Sequence, residues 1–382
     1  MRIGYYTETY VPNVDGVVKS ILAFRDQLVK SGDEVYIFTC GTQQLIQSNK
    51  DPYVFYYDSI PFKPYPSYRF ALNPYPSSSI IDQKKIELIH SHGMGTMGIA
   101  AERIARKRKL PFIGSFHTLI QYATHYISKQ ATIQNFAKEI AWKYLRWYYN
   151  KCDFTIVPSQ TISTLITKNG FNNVRVIPNG IDIEKFSSQK PEFMRADFGI
   201  SDDDAVFLFV GRLVTEKNLD VLIRAAPLII KEIPHARFVI AGTGPAEQYY
   251  KNLALSHKVD SKFSFLGFVP DNKIYSLYKN SDVFVFPSKF ETQGLSGIEA
   301  LASGLPVCGA DYLAVSEIIQ DGVNGTLFNP DDPKDCAEKA ISAYDKRKSL
   351  SSNTVSSVQK YSVSETTKQL KKLYDEALSL KK

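Results

Sequence analysis

Two carboxylates eight residues apart, Glu291 and Glu299, frame the run Phe290-Glu291-Thr292-Gln293-Gly294-Leu295-Ser296-Gly297-Ile298-Glu299. Val283 to Phe286 ahead of it is apolar enough for a buried strand, and Ile298, Leu301 and Ala302 recur at helical spacing. The pattern predicts a strand ending near Pro287 and a helix opening near Gly294 or Leu295. Such an opening presents unpaired backbone N–H groups and a partial positive charge, which suits phosphate. Glu291 before the helix and Glu299 about one turn into it can flank that phosphate and bind hydroxyl groups on either side. A sugar on one side and a ribose on the other would satisfy both, although Glu299 as an ordinary helix-surface charge stays open.

Four further loops follow apolar runs. Arg212 and Lys217, in Val210-Gly211-Arg212-Leu213-Val214-Thr215-Glu216-Lys217-Asn218, put two cations where both could reach one diphosphate and favour its departure. An ordinary solvated loop with a salt bridge to Glu216 accounts for the spacing equally well. Gly242 and Gly244, in Ala241-Gly242-Thr243-Gly244-Pro245, permit close approach of a ligand or form a tight turn. Thr9 to Gly16 lacks G-x-G-x-x-G, which argues against a nicotinamide or flavin dinucleotide, while Gly16 sits at a helix start suited to a ligand. His117 ends the apolar run of Phe112 to Phe116 and is catalytic or structural with equal weight. Asp202-Asp203-Asp204 contains D-x-D but precedes its strand, so it reads as a solvated cluster rather than a metal site.

These loops need elements to hold them. Apolar, β-branched runs alternate with segments of helical period throughout, the signature of parallel α/β structure, and 382 residues exceed what one core usually supports. Two doubly wound domains are expected, 1–188 and 189–363, with the helical stripe Leu370, Leu373, Ala377 and Leu380 in 364–382 returning to the first. A composition of 44% hydrophobic and 22% charged residues excludes disordered and fibrous classes. The four cysteines are widely spaced and expected to be reduced. No secretion signal and no apolar run long enough to span a bilayer is apparent, so a cytoplasmic location is expected. Residues 1–185 carry 22 Lys and Arg against 14 Asp and Glu, and the remainder 24 against 25, so the basic excess lies in the first half. An anionic surface or simple solvation explains that excess, and no nucleic-acid partner is expected.

Together the motifs resemble the retaining glycosyltransferases of family four, whose GT-B fold has two Rossmann-like domains facing a central cleft. The likeness runs through the Gly16 loop, SFHT at 115–118, VIPNGID at 176–182, VGRLVTEKN at 210–218, AGTGP at 241–245, FLGFVP at 265–270 and the Glu291–Glu299 pair. It implies that Arg212 and Lys217 bind the donor diphosphate, that Gly16 approaches it from the other domain, and that Gly242 and Gly244 line the donor site. Val269 would meet the nucleobase, Glu291 the transferred sugar, the amides of Gly294, Leu295 and Ser296 the phosphate, and Glu299 the ribose. His117 would approach the sugar from the acceptor side. The resemblance further implies front-face displacement without a metal and without any cofactor beyond the nucleotide-sugar co-substrate. Many relatives have Glu-Gly-Phe-Gly where this chain has Glu291-Thr292-Gln293-Gly294.

The ETQGL form, with YRFAL at 68–72 and SFHTLIQYATHY at 115–126, is most similar to diacylglycerol glucosyltransferases and phosphatidylinositol mannosyltransferases. This implies a membrane lipid such as diacylglycerol as acceptor, with peripheral attachment to the cytoplasmic face; UDP-glucose is the expected donor, while uridine or guanosine as the base and glucose, galactose or mannose as the sugar stay open. Between Lys129 and Lys151, Ile133, Phe136, Ile140, Tyr144 and Trp147 recur at helical spacing, and Lys138, Lys143, Arg146 and Lys151 face only one acid, Glu139. That helix could lie in a membrane interface or pack on the sheet. Tyr68 and Arg69, within the basic-aromatic stretch 61–76, belong to the same expected acceptor side. A soluble sugar acceptor, a sugar-nucleotide 2-epimerase and a non-catalytic sugar-nucleotide-binding protein are the competing readings.

Overall fold

A computed structural model of the chain describes residues 1–13, 15–62, 68–119 and 131–381. It divides into two compact units, Met1–Gly180 with Val363–Lys382, and Ile181–Ser362.

The first unit runs β1 (Arg2–Thr7), α1 (Gly16–Lys30), β2 (Glu34–Gly41), α2 (Gln43–Ser48), β3 (Val54–Pro61), β4 (Arg69–Ala71), α3 (Ser77–Gln83), β5 (Leu88–Ser91), α4 (Thr96–Arg108), β6 (Phe112–Ser115), α5 (Ala131–Tyr149), β7 (Phe154–Val157), α6 (Gln160–Lys168) and β8 (Val174–Val176). The second runs α7 (Ile183–Ser188), β9 (Ala205–Val210), α8 (Leu219–Glu232), β10 (Ala236–Ala241), α9 (Glu247–Ser256), β11 (Phe263–Gly267), α10 (Asp271–Lys279), β12 (Val283–Phe286), α11 (Leu295–Ala302), β13 (Val307–Ala310), α12 (Val315–Ile318), β14 (Gly325–Phe328), α13 (Pro333–Asp345) and α14 (Arg347–Ser357). Finally α15 (Val363–Ser379) rejoins the first unit.

The first sheet has the order β4-β3-β2-β1-β5-β6-β7-β8 and the second β11-β10-β9-β12-β13-β14. Every pairing is parallel except β3 with β4. Helices cover both faces of such sheets, so central strands are apolar on both sides; in β9 every residue from Ala205 to Phe209 is buried. Each fully buried Phe or Leu there contributes about 1.5–3 kcal/mol relative to exposure. Strand order reverses between β1 and β5 in the first unit and between β9 and β12 in the second. Crevices at such switch points, beyond the carboxyl ends of the strands, are where ligands bind.

The compact units divide between Gly180 and Ile181, about eight residues before the expected boundary, because Ile181, Ile183 and Phe186 enter the core of the second unit and α7 packs on α11. Two details differ from the sequence reading. The α15 stripe is Leu370, Leu373, Tyr374 and Ala377, which join the first unit's core, whereas Leu380 is exposed beyond the helix end. An antiparallel edge strand, β4, was missed because three residues are too few to display a period. Gly180 lets α15 begin here: a Cβ at that position would lie 2.5 Å from the Cα of Val363.

Candidate active site

In the second unit the loops after β9 and β12 flank the switch point, and they carry the expected charges. Lys217 ends a single 3₁₀ turn, Thr215–Lys217, closed by Asn218 in the left-handed region at φ 52°. Asn218 holds that turn by donating from Nδ2 to the Pro330 carbonyl at 2.9 Å. The Lys289 N–H donates to the Glu216 carbonyl at 3.1 Å and joins the two loops. Across this joint Lys217 Nζ forms an ion pair with Glu291, their side chains 22% and 13% exposed. The neighbouring Glu216 accepts from the Thr215 hydroxyl at 3.3 Å. Arg212 lies exposed on the same loop.

Gly294 caps α11 at φ 86°, with no side-chain hydrogen bond to the helix start. A Cβ on Gly294 would sit 2.8 Å from the Phe286 ring, so glycine is required by conformation and space together. Leu295 and Ser296 open the helix half-buried. Glu299 is buried one turn in and accepts from the Tyr278 hydroxyl at 3.0 Å, so it is not a surface charge. Burial and the neighbouring Glu299 push the Tyr278 phenol well above its ordinary value, which keeps it a donor.

Gly242 and Gly244 touch backbone instead of open space. Their Cβ atoms would fall 1.9 Å from the Gly211 carbonyl oxygen and 2.2 Å from that of Leu213. They thus bring the loop after β10 against the Arg212 loop, fixed by Leu213 N–H to Thr243 O at 3.0 Å and Ala246 N–H to Leu213 O at 3.0 Å. Val269 is half-buried against the core, while its neighbour Phe268 is exposed. Asp204 of the D-x-D run accepts from the Ser201 N–H at 2.9 Å, and no group of three His, Cys, Asp or Glu among the described residues could hold a metal.

The switch crevice of the first unit is filled by the chain itself. Glu8, just past β1, is buried and accepts from the N–H groups of Met97 and Gly98 at 3.1 Å, both in the first turn of α4. Burial raises its carboxyl, an effect opposed by those backbone donors. Gly93 and Gly95 make room: a Cβ on Gly93 would lie 1.4 Å from Glu8 Oε2. The two units therefore differ in a way that matters chemically. In the first, a side-chain carboxylate already occupies the anion position at the helix start; in the second, the cap residue of α11, Gly294, has no side chain to place there.

Around that crevice stand the other expected residues. Gly16 is exposed at the start of α1, whose first N–H groups are capped by Asp15 through Val17 and Val18 at 2.9 Å. Tyr68 is hydrogen-bonded to Thr118; burial raises its phenol, with nearby Asp15 adding to this and Thr118 opposing it. His117 is half-buried, with Nε2 3.1 Å from Nδ1 of His92, and burial lowers its imidazole to about 4. Arg69 is committed to the hairpin, donating from Nε to the Ser59 hydroxyl at 2.9 Å. It also lines a cavity of about 420 Å³ with Tyr10, Val11, Cys40, Thr42 and Leu45.

Sequence reasoning missed Glu8, His90 and His92. Glu8 and His92 directly follow strands that flank the switch point, and the Gly93-x-Gly95 spacing was the available signal. Only strand order reveals that β1 and β5 are neighbours.

The α5 stripe faces outward. Ile133, Phe136, Ile140 and Trp147 are exposed, Phe136 at 67% and Trp147 at 50%, whereas Leu145, Tyr148 and Tyr149 are buried on the opposite face. Tyr144 departs from the outward stripe, its hydroxyl donating to the Met94 carbonyl. Lys143 is exposed, Lys138 is half-buried, and Lys151 stacks 4.1 Å from the Trp147 ring centroid. Arg146 bends toward the Asn169 carbonyl at 3.5 Å, so its charge is partly engaged within the unit. The rest of the expected membrane-side stretches, 63–67 and 120–130, lies outside the described residues. No helix among the described residues is long and apolar enough to cross a membrane.

Residues 14–185 match the family described as Glycosyltransferase Family 4, and residues 190–357 that described as Glycosyl transferases group 1. The chain is 32% identical over 339 residues to alpha-monoglucosyldiacylglycerol synthase of Acholeplasma laidlawii, covering 86% of this chain and 85% of that one. It is likewise 32% identical over 338 residues to the alpha-monoglucosyldiacylglycerol synthase of Streptococcus pneumoniae, covering 86% and 75%. HepE of Anabaena, solved in complex with UDP, aligns with a TM-score of 0.76 over 98% of this chain and 100% of its own, at 19% identity, a likeness of fold. The doubly wound units and their order along the chain are those of the GT-B class, and the chain belongs to glycosyltransferase family 4.

Proposed function

We propose that this glycosyltransferase moves glucose from UDP-glucose to a diacylglycerol-type lipid, with retention at the anomeric carbon and without a metal, at the cytoplasmic face of a membrane. The observation that carries the donor half is the Lys217–Glu291 ion pair, which puts a cation and a hydroxyl-binding carboxylate together beside the glycine-capped start of α11. Lys217, Arg212 and the α11 amides stabilise the departing diphosphate, Glu291 orients the sugar, and Glu299, held by Tyr278, takes the ribose. In the transfer the bond from C1 to the phosphate oxygen breaks and the bond from C1 to the acceptor oxygen forms on the same face. The acceptor's hydroxyl proton passes to the departing phosphate oxygen, so no protein nucleophile is needed. The names of the relatives, alpha-monoglucosyldiacylglycerol synthases, support glucose and diacylglycerol, and the UDP bound to HepE supports the base.

The acceptor half rests on α5. A row of Ile133, Phe136, Ile140 and Trp147 left in water is costly for a monomer but suits the headgroup layer, with the exposed Lys143 beside anionic lipid. Donors incubated with mixed vesicles and with soluble sugars, and products read by mass and anomeric proton coupling, test the whole proposal. Glucosyl-diacylglycerol with an α linkage is expected, together with vesicle flotation that weakens in salt and in the variant F136A/W147A. Lack of binding to anionic vesicles at low salt, with efficient transfer to a soluble sugar, would overturn the lipid acceptor. Conversion of the sugar nucleotide without any acceptor would identify an epimerase instead.

A further inference from the structure

Three imidazoles meet at the carboxyl ends of β5 and β6, and the family resemblance implies a role for only one of them, His117. His90 is committed at both nitrogens, Nδ1 lying 2.6 Å from the Tyr374 hydroxyl and Nε2 2.8 Å from the Ser115 hydroxyl. His92 stacks between Tyr5, at 4.5 Å, and His90, at 4.1 Å between ring centroids. Its Nδ1 lies 3.1 Å from Nε2 of His117, with the two rings within 16° of parallel. Its other nitrogen, Nε2, is buried and has no hydrogen-bond partner among the described residues.

That orphan nitrogen decides the direction of the hydrogen bond. A neutral imidazole has one N–H and one lone pair. Were His117 the donor, His92 would carry its proton on Nε2 and bury an unpaired N–H. With His92 as donor from Nδ1, only a lone pair is left unpaired, and buried orphan acceptors are tolerated more often than buried orphan N–H groups. His117 then accepts at Nε2 and carries its own proton on Nδ1. A second proton on either ring would set N–H against N–H at this contact or leave a buried charge unpaired, and His90 and Tyr5 offer His92 no anion.

We propose that His92 is a positioning residue whose Nδ1–H locks His117 as the neutral, Nδ1-protonated tautomer, so that His117 serves the reaction as a fixed polar group and not as an acid or base. The catalytic side of this inference rests on the role that the family resemblance implies for His117, at the transferred sugar; the tautomer itself does not.

Long-range ¹⁵N–¹H spectra of the ligand-free protein, assigned with His117→Asn, read the tautomer directly. The wild type and His92→Asn, which keeps an amide N–H near the site of Nδ1, are expected to show His117 protonated on Nδ1. His92→Phe is expected to release it to the Nε2 form or a mixture. With UDP-glucose and diacylglycerol vesicles, His92→Phe should lower kcat about tenfold with little change in donor KM, the loss of roughly one hydrogen bond's orientation. His92→Asn should recover most of it. Only His92→Phe should gain an ionisation in its kcat profile between about pH 5 and pH 8. An Nε2-protonated His117 in the wild type, or one tautomer shared by all three proteins, overturns the proposal, and the wild-type spectrum decides this even if His92→Phe fails to fold. Expected tautomers with turnover unmoved in both His92→Phe and His117→Asn uphold the pairing and refute instead the placement of His117 at the sugar.

Discussion

Acidification from about pH 7 to about pH 5 tests whether the imidazoles of the first unit are as dehydrated as their packing implies. Burial lowers His117 from 6.5 to about 4. It also drives His90 and His92 well below the ordinary value, with repulsion from His117, and for His92 from His90 as well, adding to it. In each case the unfolded chain binds a proton more readily than the folded one. Their stabilisation is therefore fully present above the unfolded value near 6.5 and is lost as pH falls toward the folded values. For His117, about 1.5 pH units below the unfolded value correspond to about 2 kcal/mol. Since the ring is only half-buried, hydration reduces the expected loss to about 1–2 kcal/mol. Glu8 acts in the opposite sense, because burial raises its carboxyl and acid relieves that penalty. His117→Asn removes the imidazole and leaves Glu8 in place, so the difference between the two proteins isolates the histidine term. Urea unfolding followed by hydrogen exchange in β5 and β6 peptides, at both pH values, is the assay. The wild type should lose about 1–2 kcal/mol more than the variant on acidification. Equal losses would refute the dehydration argument.

Lys217→Ala and Glu291→Ala are each expected to lower turnover at least about 100-fold, the scale for one preorganised electrostatic group, and near-normal rates in both folded variants would reject the site. Activity is expected to survive EDTA, since Lys217, Arg212 and the α11 amides supply the positive charge in the proposed reaction; a strict divalent-cation requirement would show that the diphosphate is neutralised otherwise. Gly93→Ala drives a methyl group onto Glu8 and should destabilise the first unit by about 1–3 kcal/mol, visible as a lowered urea midpoint that Glu8→Ala partly restores. Tyr278→Phe strips the buried Glu299 of a hydrogen bond, so the second unit should lose about 1.5–3 kcal/mol and titration calorimetry should record weaker UDP binding.

Much of this protein was legible one segment at a time. The buried strands announce themselves as apolar runs because both faces of a parallel sheet are covered, and β9 and β12 are plain in the sequence for that reason. Glu291 and Glu299 were found through their spacing about a helix start, a local property of the backbone. Motif resemblance identified the family, since the order of short loops along a chain is itself sequence information. What only the tertiary structure decided depends on which strands are neighbours. Lys217 meets Glu291 and Glu8 meets α4 because β9 adjoins β12 and β1 adjoins β5, pairings that no periodicity encodes. Whether the α5 stripe is core or surface was equally undecidable from its spacing, because a helix with two apolar faces has the same period on each. The fold answers it by burying Leu145, Tyr148 and Tyr149 and leaving Ile133, Phe136, Ile140 and Trp147 outside. The pairing of His92 with His117 belongs to the same class, for two side chains 25 residues apart come within hydrogen-bond reach only when β5 and β6 lie side by side.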